Sequence, residues 1–137
     1  MTTLERAKEV FGSDLFATTQ SGIEITAVGN NEAVCTMTIG DRHCNARGVA
    51  MGGCLFTMAD FAAAVAANSE DTESGDLHWV SLDSTIHFLA PAPIGIVLKA
   101  TCSALKPGRS TSLFQTIIES LDNGKRIAIV ETTMIHL

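Results

Sequence analysis

The sequence predicts an α+β fold in which one long antiparallel sheet curls around a single central helix. Alternating apolar segments separated by turn-forming residues occupy most of the chain after residue 77, as in antiparallel strands with one buried face. The run MGGCLFTMADFAAAVAAN, residues 51–68, is almost entirely apolar or small. A helix that is apolar all round must be covered all round, which a curled sheet can largely achieve.

Composition places the chain among folded, reduced proteins. Its 137 residues, 46% of them hydrophobic and 18% charged, favour one folded domain over residues 1–137. The net charge of -6 argues against nucleic acid or anionic membranes as partners. The N-terminus lacks the apolar stretch of a secretory signal, and the four cysteines show no C-x-x-C spacing. We therefore expect a cytoplasmic protein without a metal or cofactor.

The first forty residues predict a short helix and a hairpin. Residues 22–40 predict two strands around the turn-forming cluster 29–31. Four apolar residues recur before them at helical spacing: Leu4, Ala7, Val10 and Phe11. The second strand places alternate residues on one apolar face: Ala33, Cys35, Met37 and Ile39.

The remainder predicts the central helix followed by long strands. A polar loop over residues 41–50 leads to a helix that begins near Gly52 and ends near Asn68. The strands lie within four later segments, separated by breaks such as Asn123-Gly124, a strong hairpin signal: residues 78–91, 94–106, 110–122 and 125–137. Because a sheet covers only one side of the helix, a second subunit is expected to cover the rest.

Asp60 is the only charged residue between Gly52 and Ala67. Burying a carboxylate without partners costs several kcal/mol. In one interpretation Asp60 caps a helix that begins at Phe61. In the other, the helix begins near Gly52 and Asp60 faces a pocket, where it acts as a general base or nucleophile.

The paired glycines Gly52 and Gly53 also have two interpretations. At a helix start they present free backbone N–H groups and the positive end of the helix dipole. Without side chains they let a ligand approach closely, which suits a carbonyl oxygen that becomes an oxyanion. The alternative is that they only make a tight turn.

These residues together resemble the signature of hotdog-fold acyl-CoA thioesterases. Residues 45–53 (NARGVAMGG) and 55–60 (LFTMAD) are similar to the pattern N-x-x-G-x-x-H-G-G, followed by an apolar turn and an acid, of the phenylacetate-pathway branch. This branch belongs to the 4-hydroxybenzoyl-CoA thioesterase superfamily. Residues 80–83 (VSLD), 88–91 (FLAP) and 106–110 (KPGRS) resemble its strand after the helix and its basic turn.

The resemblance implies the hotdog fold and hydrolysis of an acyl-CoA thioester to a free acid and CoA. It also implies a homodimer, or a dimer of dimers, with an active site at the dimer interface and no metal. Asp60 would then activate or orient water, and the Gly52 N–H would polarise the carbonyl. Asn45 would hold the carbonyl or the water, and Ser81 would position the water. From the residues alone, Asn45 also fits a turn cap and Ser81 an outward-facing strand residue.

The chain departs from the family pattern at Met51, where the family usually has His. A thioether donates no hydrogen bond, so the His function is absent or is supplied by a neighbour such as His43.

Lys106 and Arg109 could contact CoA phosphates or form a solvated hairpin tip. Apolar pocket surface is expected from Phe56, Met58 and Phe61. The predicted substrate-binding residues are therefore Met51, Gly53, Phe56, Phe61, Lys106 and Arg109.

Two other functions compete with hydrolysis. A hydratase or dehydratase on the same fold would pair a catalytic His with an acid near the helix, but none of the four histidines matches such a motif. A non-catalytic acyl-CoA-binding protein would explain Met51. An enoyl-CoA hydration assay tests the first alternative, and binding without thiol release would support the second.

Overall fold

The computed structural model describes all 137 residues. Two short helical turns, a π-helical one at Phe16–Gln20 (the π-turn) and a 3-10 one at Asp41–His43, accompany the main elements. The helices and strands follow in chain order: α1 (Thr3–Phe11), β1 (Glu24–Gly29), β2 (Glu32–Thr38), α2 (Gly52–Ala67), β3 (Trp79–Phe88), β4 (Val97–Lys106), β5 (Thr111–Ser120) and β6 (Arg126–His136).

The six strands form one antiparallel sheet in the order β1-β2-β4-β5-β6-β3. α2 contacts all six strands, so the sheet wraps around it. This confirms the predicted architecture. β1 and β3 are the two edges, and β3 pairs only with β6. The edge strand β3 therefore lies beside α2 with its outer backbone groups unpaired within the chain.

The helix boundaries follow local sequence signals. Thr2 caps α1 through a capping box with Glu5, and Ala7 and Phe11 are buried as predicted. α2 begins at Gly52, eight residues before Asp60. The interpretation of Asp60 as a helix cap is therefore wrong. None of the helices combines the length and apolar character that a membrane crossing requires.

The first hairpin turns at Asn30 and Asn31, whose φ angles are 53° and 61°. Asparagine tolerates this left-handed region, and two such residues make the tight turn that matches strand twist. The resulting register buries the predicted apolar face of β2: Ala33, Cys35, Met37 and Ile39. These side chains pack beneath α2 in the single hydrophobic core.

Asn68 ties the end of α2 to the start of β3. Its side-chain oxygen accepts hydrogen bonds from the backbone N–H groups of His78 (3.1 Å) and Trp79 (3.0 Å). Its side-chain nitrogen donates to the carbonyls of Ala64 (2.9 Å) and Trp79 (3.1 Å). Three of these bonds hold the start of the edge strand against the helix end, and the bond to Ala64 anchors Asn68 to the helix itself.

Candidate active site

One stripe of α2 is only partly covered by the chain. Gly53, Thr57, Asp60 and Ala64 recur at helical spacing and are partly or fully exposed, whereas most other α2 residues are buried. The single carboxylate of the helix therefore points out of the core. It faces β3 on one side and the segment that follows α1 on the other.

Asp60 is joined to Ser81 of β3. The Ser81 hydroxyl donates a hydrogen bond of 2.7 Å to Asp60 Oδ1, and the Met134 sulfur lies 3.5 Å from the same hydroxyl oxygen. A bulge follows Ser81 in the pairing of β3 with β6, since Ser81 pairs with Met134 and Asp83 pairs with Thr133. A bulge re-aims neighbouring side chains, as Ser81 requires to reach the helix.

A cavity of about 400 Å³ opens beside Asp60. Its second wall is the segment Ser13–Ala17, which includes Asp14. Partial burial, and secondarily the charge of Asp60, raise the pKa of Asp14. Asp14 is absent from the sequence predictions, because no local pattern indicates that the residues after α1 fold back onto α2.

The N-terminal end of α2 carries a second cavity, lined by Asn45, Gly52, Leu55, Phe88 and Leu89 among others. The backbone N–H groups of Gly52 and Gly53 make no hydrogen bond within the chain. The Phe88 ring packs directly over Gly52. The helix start therefore offers the Gly52 N–H as a free donor at this cavity, as an oxyanion site requires, while Gly53 lines a different cavity.

Asn45 caps a turn in the loop before α2. Its side-chain oxygen accepts hydrogen bonds from the backbone N–H groups of Arg47 (2.9 Å) and Val49 (3.4 Å). Its side-chain N–H₂ group has no partner within the chain, so it can still donate to a ligand in the cavity that it shares with Gly52.

Within one chain the two cavities are separate. Gly52 and Asp60 are eight residues apart on α2, roughly 12 Å along the helix axis, and they line different cavities. A single copy of the chain therefore does not place the helix N-terminus and the carboxylate around one small ligand.

Met51 is half exposed at the start of α2, and its side chain makes no capping hydrogen bond. It lines a further cavity with His43 and Gly53. His43 is buried, accepting a hydrogen bond from Gly40 N–H at Nδ1 (2.9 Å) and donating from Nε2 to the Ser21 carbonyl (2.7 Å). Both ring nitrogens are occupied, so His43 has no free donor to replace a histidine at position 51.

Lys106 and Arg109 are exposed around the β4–β5 turn and form no salt bridge. Ser112, at the start of β5, accepts a hydrogen bond from Gly108 N–H and pairs with Met134, which pairs with Ser81. Ser112, which holds this turn, therefore lies two strand spacings, about 10 Å, from Ser81.

The two aromatic residues and the one methionine expected in the pocket occupy different environments. Phe61 lines the Asp60 cavity and packs edge-to-face on Phe11. Phe56 lies on the helix surface and lines none of the three cavities described above. Met58 is completely buried in the core, so its expected place in the pocket is wrong. No group of three or more His, Cys, Asp or Glu side chains is arranged to hold a metal.

Comparison with known proteins gives consistent similarities. The chain is 34% identical over 93 residues to Escherichia coli acyl-coenzyme A thioesterase PaaI, covering 68% of this chain but only 63% of that protein. It is 28% identical to human acyl-coenzyme A thioesterase 13 over 77% of this chain and 74% of that protein.

Solved structures show the same fold. The E. coli PaaI protein superposes with a TM-score of 0.83 and 26% identity, covering 99% of this chain and 96% of that chain. A hypothetical thioesterase from Streptococcus pneumoniae, solved with coenzyme A, gives a TM-score of 0.81 at 23% identity over 93% and 96% of the two chains. These likenesses identify the sheet and central helix as a hotdog fold. The thioesterase superfamily matches residues 47–127, more than half of the sequence. The chain therefore belongs to the thioesterase superfamily.

Proposed function

We propose that this protein hydrolyses an acyl-CoA thioester to a free acid and CoA. The observation that carries the proposal is the 2.7 Å hydrogen bond between Ser81 and Asp60, which orients a carboxylate at the wall of a cavity. A carboxylate held in this way is suited to take a proton from water. The relatives named as acyl-coenzyme A thioesterases support the substrate class.

In the proposed mechanism Asp60 accepts a proton from a water molecule while the water oxygen attacks the thioester carbonyl. Ser81 accepts a second hydrogen bond from that water. The oxyanion that forms accepts hydrogen bonds from the Gly52 backbone N–H and the Asn45 side-chain N–H₂ group. The C–S bond then breaks, and the proton held by Asp60 passes to the departing thiolate of CoA.

We infer that the working unit is a homodimer, alone or paired into a homotetramer, with the active site at the dimer interface. The separation of Gly52 from Asp60 supports this, because a two-fold axis could bring Gly52 of one subunit beside Asp60 of the other. The free edge of β3 supports it further, since it carries the exposed apolar side chains of Val80 and Leu82.

Lys106 and Arg109 supply cations for CoA phosphates, and Met51, Gly53 and Phe61 contact the substrate. Phe56 lines none of the three cavities described above for one chain, so its contact with the substrate is proposed through the dimer interface. Residues 1–137 form one domain that acts in the cytoplasm. The exposed, unpaired state of the two cations and the overall acidity of the chain support a local anion site without general nucleic-acid affinity.

Replacement of the carboxylate tests the mechanism. Asp60→Asn should lower thiol release from short, medium, long and aromatic acyl-CoAs by about 10²–10⁴-fold, because the general base is lost. Asp83→Asn, a matched change on β3, should retain turnover. Size-exclusion chromatography should give the same oligomer for both variants. Unchanged turnover in Asp60→Asn would exclude the mechanism.

A second candidate is a non-catalytic acyl-CoA-binding protein, which Met51 favours because it offers no hydrogen-bond donor. Tight binding of acyl-CoA in calorimetry without thiol release would establish it. Met51→His should raise turnover if the missing donor limits catalysis. The exposure of Met51 makes this replacement compatible with the fold.

A further inference from the structure

Two large apolar side chains stand exposed on the wall of the Asp60 cavity. Leu15 and Phe16 are 59% and 64% exposed, although both belong to the segment that lines it. Phe61 and Ala64 of α2 form the opposite wall. Exposed apolar residues grouped around a cavity are typical of a ligand surface.

The backbone that carries these side chains is held in place. The π-turn closes with a hydrogen bond of 3.0 Å from Ser21 N–H to the Phe16 carbonyl, and the Ser21 carbonyl accepts from His43 (2.7 Å). The Thr18 hydroxyl donates to the Asp14 carbonyl (3.0 Å), and Arg42 donates to the Thr19 carbonyl (3.3 Å). The segment therefore presents Leu15 and Phe16 from a fixed backbone, which lowers the entropic cost of binding.

We propose that this cavity is the acyl-binding subsite and that Leu15 and Phe16 set the length of acyl group it accepts. The inference rests on the proposed hydrolysis and identifies its substrate class. A thioester carbonyl attacked by water at Asp60 must lie beside that carboxylate, so its acyl group begins at the cavity mouth. The apolar walls and the volume of about 400 Å³ accommodate a medium-chain or aromatic group.

Charge further restricts the acyl group to an uncharged one. Asp14 and Asp60 both line the cavity, and no Lys or Arg does. The Asp14 carboxylate accepts no hydrogen bond and forms no salt bridge within the chain. A carboxylate carried by the acyl group would meet like charge in this cavity. Asp14 therefore selects against dicarboxylic acyl groups.

Alkyl-CoA thioethers of increasing chain length test the subsite without requiring hydrolysis. Their dissociation constants, measured by calorimetry, should decrease by about threefold to fourfold for each added methylene until the cavity is filled. Leu15→Ala and Phe16→Ala should each weaken binding of the octyl compound by about tenfold and leave binding of the methyl compound nearly unchanged. The control Leu121→Ala removes an equally exposed leucine from the β5–β6 turn and should change neither.

Asp14→Asn should improve binding of the 4-carboxybutyl thioether of CoA about fivefold relative to the pentyl thioether. Equal discrimination by Asp14→Asn and the unaltered protein would overturn the role of Asp14. Chain-length dependence that survives both Leu15→Ala and Phe16→Ala would overturn the acyl subsite.

Two further outcomes separate this inference from the proposed function. Absence of thiol release by the unaltered protein, with chain-length dependence lost in Phe16→Ala, would refute hydrolysis while supporting the subsite. Size-exclusion chromatography distinguishes an acyl contact from a subunit contact. Dissociation of the oligomer in Phe16→Ala, with unchanged chain-length dependence, would assign this surface to a second copy of the chain and overturn the inference.

Discussion

The Phe88 ring lies so close to Gly52 that a Cβ atom at that position would require the ring to shift. A Cβ atom there would lie 2.8 Å from Phe88 Cζ and 3.0 Å from Cε1, whereas a Cβ at Gly53 would meet nothing within 4 Å. The two neighbouring glycines therefore differ sharply in their surroundings. Gly52 is confined by an aromatic ring that also lines the cavity at the helix start.

Alanine substitution should change the free energy of unfolding differently at the two glycines. Gly53→Ala should raise the free energy of unfolding by about 0.5 kcal/mol, since alanine favours a helix. Gly52→Ala should bring no gain, because the Phe88 ring must move, and its turnover should fall about tenfold or more as the N–H is obstructed. Urea unfolding and thiol release measure these effects. Equal stabilisation by the two changes would contradict the close approach.

Ser81→Ala should lower kcat by about 10- to 100-fold, because hydrogen bonds to charged groups contribute about 1.5–3 kcal/mol. Ser84→Ala is the matched control on the same strand. Ser84 donates to the Thr132 hydroxyl (3.0 Å) and makes no hydrogen bond to Asp60. Steady-state thiol release measures the difference. Similar losses of kcat in the two variants would show that Ser81 supports the structure of β3 and has no separate role at Asp60.

Sequence patterning predicted the elements because alternation and helical spacing are local signals. It could not decide which side of α2 faces the cavity, since a helix that is apolar all round has no amphipathic face. Met58, expected in the pocket, lies in the core, and Phe56 lies on the helix surface, whereas Phe61 lines the Asp60 cavity. Asp14 was missed because its approach to α2 is a tertiary contact between segments far apart in the chain. Family resemblance, not periodicity, placed Asp60 and Ser81 each at the water molecule, and the direct hydrogen bond between them appears only in the structure.

Two buried thiols should make stability fall at alkaline pH. Burial raises the pKa of Cys35 to about 12, helped by the nearby Cys102, and raises the pKa of Cys102 to about 11. In the unfolded chain these thiols ionise near the ordinary value of 9.0. Above pH 9 the folded state therefore binds more protons than the unfolded state, and stability decreases as pH rises.

Between pH 8 and pH 10.5 the free energy of unfolding should fall by about 2–4 kcal/mol from these two groups. The chain has no tyrosine, so phenol ionisation does not contribute in this range. Urea unfolding under reducing conditions measures the change. Cys102→Ala should remove about half of the pH dependence. A dependence identical to that of the unaltered protein would show that the thiol is not the cause.

Asn68 should support both stability and the site. Asn68→Ala leaves the N–H groups of His78 and Trp79 without their acceptor and should cost about 2–4 kcal/mol in urea unfolding. The exposed Asn123, whose side chain accepts one hydrogen bond from Lys125 N–H (2.9 Å), provides the control. Asn123→Ala should cost about 0.5–1 kcal/mol.

Turnover should distinguish these two asparagines as well. Ser81 lies two residues after Trp79, so loosening the start of β3 moves the hydroxyl away from Asp60. Under conditions where both variants remain folded, Asn68→Ala should lower kcat about tenfold, whereas Asn123→Ala should leave it unchanged. Retained turnover in a destabilised Asn68→Ala would mean that the Ser81–Asp60 hydrogen bond holds the strand without help from the helix end.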